Sequence, residues 1–118
     1  MNVRALAVVL LGMLAALPAA AQQKAPEEPM PEFDKKFLAD PAVIEAGKVV
    51  WDGQCTHCHG AKAYPGKAPK LNPGQLEPDF IFHRVTYGFG KMPAWKEVFS
   101  LKQRMAVVAY IKSADFWP

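Results

Sequence analysis

Apolar residues recur at helical spacing in three stretches of the chain, separated by segments rich in proline and glycine. In the first stretch Val43, Ile44, Gly47, Val50 and Trp51 fall on one face of a helix. Asp40-Pro41 marks its start: Asp40 caps free amides, and Pro41 sits at the first helical position, where its missing N–H costs nothing. A second helix is predicted from Pro78, with Asp79 near its positive end, Ile81, Phe82 and Val85 facing inward, and Gly88 as its stop. The third opens on a capping box, Ser100 with Gln103, and carries Leu101, Met105, Val108 and Ile111 as its apolar stripe. No β-alternation and no internal repeat competes, so the predicted fold class is all-α.

The intervening segments divide the chain. Ala61 to Gln75 reads as loop, punctuated by Pro65-Gly66, Pro69 and Pro73-Gly74, and Gly88 to Lys96 as a second loop. Residues 22–39 carry Pro26, Pro29 and Pro31 among charges and read as an extended, mobile arm outside the core. At the N-terminus, Met1 to Arg4 is positively charged, Ala5 to Leu17 is apolar, and Ala19-Ala20-Ala21 offers small residues for cleavage before Gln22. This is the pattern of an export signal. The apolar run is shorter than the roughly 18–20 residues of a spanning helix, which weighs against a retained anchor. The expected divisions are a signal peptide at 1–21, a Pro-rich arm at 22–39 and a single domain at 40–118.

A domain of this size buries only a modest core. The 11 prolines and 8 glycines suit short helices and long, shaped loops wrapped round a cofactor. That cofactor is indicated by Cys55-Thr56-His57-Cys58-His59, the C-x-x-C-H spacing of a c-type haem attachment site. Two cysteines three apart on a helical turn can each form a thioether with a haem vinyl group, and the following histidine supplies the proximal nitrogen. Both cysteines are then used, and none is left for a disulfide. A thioredoxin-like pair would need a βαβ pattern, which is missing. A structural zinc site would need four ligands in closed tetrahedral geometry, which residues this tightly spaced do not give.

Iron held by His59 has a sixth position, and Met92 is the leading candidate for it. Met92 lies in the loop Gly88-Phe89-Gly90-Lys91-Met92-Pro93, and its soft thioether raises the reduction potential, as suits an electron carrier. Met30 in the arm and Met105 within a helix stripe are weaker candidates, and His83 is the main rival. His57 reads as a surface histidine. Trp95 either packs on the haem and donates its indole N–H to a propionate, or only packs. Tyr64, Tyr87 and Arg84 are further propionate candidates among which the sequence does not choose.

From Asp40 to Ala114 the chain resembles a class I cytochrome c. Cys55 to His59 match the family's attachment motif. Gly47 and Trp51 match the glycine and aromatic with which its first helix crosses the last, Ala68-Pro69-Lys70-Leu71 its proximal loop, and Val85 to Pro93 its distal stretch. The segment from Leu71 to Glu77 is short, like that of a compact bacterial form with an exposed haem edge. The resemblance implies short helices and loops around one covalent haem c, with N- and C-terminal helices crossing. It also implies that the Pro69 carbonyl accepts the N–H of His59. The implied cofactor-binding set is Cys55, Cys58, His59, Pro69, Leu71, Met92 and Trp95, with His59 and Met92 on the iron.

The expected function is periplasmic electron transfer between an exported dehydrogenase and an oxidase or reductase. With both axial positions held, no enzymatic activity is expected. The alternatives are the haem subunit of a permanent oxidoreductase complex, with the arm and Trp117 docking on a catalytic subunit, and a ligand-binding haem protein with a labile sixth position. Net charge is +3, and nine basic residues against four acidic follow His59. Nucleic acid is an improbable partner for an exported haem protein; the expected reading is a lysine-rich rim, Lys62, Lys67, Lys70, Lys91 and Lys96, steering an acidic redox partner.

Overall fold

The computed structural model describes residues 26–116. The expected signal segment, its cleavage site before Gln22, and Trp117 lie outside the described residues. Helix starts follow the side chains that can satisfy free amides. Asp34 accepts from the Phe37 N–H at 2.7 Å and opens the one-turn α1 (Lys35–Leu38). Asp40 accepts from Ala42 at 2.8 Å and from Val43 at 3.4 Å to open α2 (Pro41–Val50), with Pro41 in the first turn as predicted. α2 runs on through a π-helical turn, Trp51–Cys55, into the short α3 (Thr56–His59). A 3₁₀ turn, Pro73–Gln75, precedes α4 (Pro78–Tyr87), which Gly88 ends at φ 72°. α5 (Leu101–Lys112) opens on the Ser100–Gln103 capping box with both reciprocal bonds formed. There is no strand among the described residues, and the all-α expectation holds.

α2 crosses α5 at Gly47, where the backbones come so close that a Cβ would sit 2.0 Å from the Ala106 carbonyl oxygen. Trp51 extends this contact. Its ring meets Phe116 edge-on at 4.7 Å, and its Nε1–H donates to the Ala61 carbonyl at 3.0 Å. The core gathers Val50 and Trp51 with Ile81, Phe82 and Val85 of α4 and Val107, Val108, Tyr110 and Ile111 of α5.

Two expectations are corrected. The stripe on α5 is broader than Leu101, Met105, Val108 and Ile111. Leu101 is 47 % exposed, whereas every residue from Ala106 to Ile111 is buried. The cause is position: α5 packs against α2, α4 and α1 together, so a one-sided stripe does not suffice. The arm, expected to be mobile, is seated on the helices. Phe33 packs on Phe82 at 5.8 Å, the Glu28 N–H donates to the Tyr87 hydroxyl at 2.7 Å, and the Glu28 carboxylate pairs with Arg104. An extended proline-rich backbone makes no internal hydrogen bonds, so its polar groups pair where an anchor such as Phe33 docks it. The packed unit therefore extends back before residue 40.

The Arg104 hydrogen bond, helped by the charges of Arg104 and Lys96, holds the Glu28 carboxyl below its ordinary range against the opposing cost of burial. The unfolded chain then binds a proton at a pH where the folded chain does not. Stability from this pair is present above the ordinary carboxylate value and is lost as pH falls below it through the lowered folded value. Denaturant midpoints measured from pH 7 to pH 3 are expected to fall less steeply for Glu28→Gln than for the parent chain. Parallel curves would show that the pair contributes nothing in acid.

Candidate haem-binding site

The attachment motif is placed by the continuation of α2. Thr56 Oγ1 donates to the Asp52 carbonyl at 3.1 Å, and Gly60, at φ 81°, ends α3 directly after His59. The following loop lies flat on this turn: Ala68 N–H donates to the Cys58 carbonyl at 2.7 Å, and a Cβ on Gly66 would meet that oxygen at 2.3 Å. Cys55 is half-buried, Cys58 is exposed, and both thiols are free. Burial, with a smaller contribution from Cys58, pushes the Cys55 thiol up to about 12. A disulfide oxidoreductase lowers such a pKa to obtain a thiolate; burial acts on Cys55 in the opposite direction.

Cys55 and His59 open onto an apolar-walled cavity of about 110 Å³. Trp51, Leu71, Leu76, Ile81, Val85, Val107 and Ile111 wall it, Met92 reaches it from the Gly88–Lys96 loop, and Arg84 is the charged side chain on its lining. Burial lowers the His59 pKa, keeping the imidazole in the neutral form that ligates metal. Its Nδ1 is buried with no hydrogen-bond partner, which is costly for an isolated polar atom.

Met92 is presented by a tightly tied turn. Phe89 and Met92 exchange backbone hydrogen bonds at 3.0 and 2.9 Å, Trp95 N–H donates to Val85, and Lys96 N–H donates to Thr86. Gly90 supplies a φ of 56° inside the turn. A Cβ on Gly88 would lie 2.5 Å from the Met92 carbonyl oxygen, so only glycine lets the chain fold back this closely. The loop is thus fixed at both ends.

Of the residues assigned from sequence, Cys55, His59, Leu71 and Met92 share the cavity. Cys58, Pro69 and Trp95 are not on its lining. Pro69 is exposed and makes no bond to His59 Nδ1; the loop is pinned on either side of it, by Ala68 to Cys58 and by Leu71 to Ala63 at 3.2 Å. Trp95 stacks on Phe99 at 5.4 Å and is not on the cavity lining. His83, 41 % exposed, faces Glu27 at 3.8 Å and the Tyr87 ring at 5.0 Å and is not on the cavity lining. His57 is exposed, as expected. Among the propionate candidates only Arg84 lines the cavity, its guanidinium held over Phe89 at 3.9 Å and Phe80 at 4.8 Å. Leu76, Phe80 and Val107 were not foreseen as walls; Leu76, the lone leucine between Leu71 and Phe80, carried the one usable signal.

A neutral, half-buried imidazole, a thioether, thiols at the margin and apolar walls together fit a haem iron and its macrocycle. No curated protein and no solved structure matches the chain. The family model described as cytochrome c oxidase, cbb3-type, subunit III does match, over residues 42–111, from the first turn of α2 into the last turn of α5. The chain belongs to that family, as a class I cytochrome c domain that binds haem c and transfers electrons through it.

Proposed function

We propose that this chain is an exported one-electron carrier that holds a single haem c covalently through Cys55 and Cys58, with His59 and Met92 as axial ligands. The observation that carries this reading is that His59 and Met92 line the same apolar cavity, beside Cys55. The group supplies an Fe(III)/Fe(II) couple when bound. His59 offers a neutral nitrogen, Met92 a soft sulfur that favours the reduced state, and the aliphatic walls exclude water. With both axial positions taken by side chains, no site is left for a substrate, so the domain acts as a carrier and not as an enzyme. Among the described residues no helix is long and apolar enough to cross a membrane.

The covalent link is tested by denaturing acid-acetone extraction of protein matured in an exporting host. The parent protein is expected to keep its haem, and the Cys55→Ala/Cys58→Ala double variant to release it. Free extraction from the parent would sink the reading. Intact mass of the same material checks processing: residues 22–118 plus one haem are expected.

The partner is expected to be an acidic redox protein, donor or acceptor, that meets the lysine-rich rim in a small, short-lived contact. Electron transfer should slow as salt shortens the Debye length to about 8 Å near 0.15 M. Lys67→Glu with Lys70→Glu should slow it without moving the potential. A rate indifferent to both would reduce the rim to a solvated surface. The family description names an oxidase subunit, which favours permanent membership of a complex as the second reading. Gel filtration of native extract separates the two by whether the haem elutes at the chain's own mass or with a larger enzyme.

A further inference from the structure

Arg104 is only 3 % exposed, and burying a guanidinium is costly unless it is paired and hydrogen-bonded. Four of its five N–H groups make hydrogen bonds. Nε–H donates to the Phe99 carbonyl at 3.1 Å, Nη1–H to Thr86 Oγ1 at 2.8 Å, and both terminal nitrogens to the Glu28 carboxylate, Nη2 at 3.2 Å. Thr86 and Phe99 stand on the two sides of the loop that presents Met92. Thr86 is wholly buried near the end of α4 and its carbonyl takes the Lys96 N–H at 3.2 Å, while the Phe99 N–H donates to Trp95 at 2.9 Å. One cation therefore braces both ends of the loop, and its counter-charge comes from the arm, 76 residues away in sequence. Lys96 adds a second positive charge near Glu28, and the Tyr87 hydroxyl takes the Glu28 N–H.

We propose that Glu28 is a positioning residue for the distal ligand: by neutralising Arg104 it keeps the brace closed on the Met92 loop, and so sets how readily Met92 leaves the iron. This rests on the reading of Met92 as distal ligand. A buried ion that loses its partner must find water or move. Movement of Arg104 would release Thr86 and Phe99 together and let the turn swing outward.

The experiment uses oxidised, haem-loaded mature protein and added imidazole, which replaces the Met92 sulfur on iron by its own nitrogen with no net transfer of electrons. Glu28→Gln is expected to speed uptake of imidazole by about tenfold or more, because the buried cation is left unpaired. Glu28→Asp should restore part of the slow rate. Thr86→Val, which keeps the ion pair and removes one brace bond, should also speed it, and serves if Glu28→Gln does not accumulate. Lys48→Ala breaks the exposed Lys48–Asp52 pair, at 2.6 Å on α2, and should leave the rate within about twofold. Uptake at the parent rate in both Glu28→Gln and Thr86→Val, measured well below their melting temperatures, overturns the proposal even if both melt earlier. If Met92→Ala shows that Met92 is no ligand, the underlying reading fails instead, and the two failures are distinguishable.

Discussion

Replacing Met92 by alanine is expected to abolish the weak near-infrared absorption of the oxidised protein, lower its midpoint potential and admit carbon monoxide to the ferrous iron. Axial ligands set haem potentials over a span of about 0.8 V, and exchange of a thioether for water or a harder ligand moves the couple downward. The effect should be large because no nearby side chain can substitute. His83 is held by Glu27 and Tyr87, and the cavity lining contains no other histidine or methionine. The fold should survive. Met92 is only half-buried, and the turn that carries it is closed by backbone bonds to Phe89 that alanine keeps. Redox titration with the near-infrared spectrum checks the outcome. An unchanged potential and band in Met92→Ala, with loss of both in His83→Ala, would reverse the assignment.

The site was legible where its signals are local. Cys55 to His59 are contiguous, so their spacing fixes their geometry before any fold is known. Met92 stands out because Gly88, Gly90 and Pro93 punctuate its loop. The helix starts were legible for the same reason, since Asp40, Ser100 and Gln103 act on amides within three residues. What stayed hidden depends on contacts between distant residues. A charged side chain at position 104 reads as surface until Glu28 and Thr86 are seen beside it. A proline-rich, charged arm reads as linker until Phe33 is found on Phe82. The extra burial of α5 likewise follows from how many neighbours surround it, which no helical period encodes. The Pro69 carbonyl came from resemblance alone, and in the structure the loop bonds on either side of it hold Pro69 exposed, with no bond to His59.

Substituting Gly47 is expected to have the largest effect on stability. The new Cβ of Gly47→Ala would lie 2.0 Å from the Ala106 oxygen, 2.5 Å from the Ala106 carbonyl carbon and 2.9 Å from Tyr110 Cβ. Backbone atoms cannot rotate away, so α2 and α5 must part. Parting them opens gaps through the layer that holds Trp51, Tyr110 and Phe116, where small separations already forfeit much of the dispersion energy. Overpacking in a core costs roughly 1–3 kcal/mol, and more where backbone must shift. Against this stands a helix-propensity gain of about 1 kcal/mol for alanine over glycine, which is too small to offset it. Because α2 runs directly into the turn bearing Cys55 and His59, the same displacement should lower haem incorporation. Gly53→Ala is the internal comparison: it lies in that continuing turn with nothing within 4 Å of its would-be Cβ, and should be neutral to within about 1 kcal/mol. Melting temperatures of the haem-loaded proteins decide the matter. A Gly47→Ala variant as stable as Gly53→Ala would mean that α2 and α5 do not cross as closely as described.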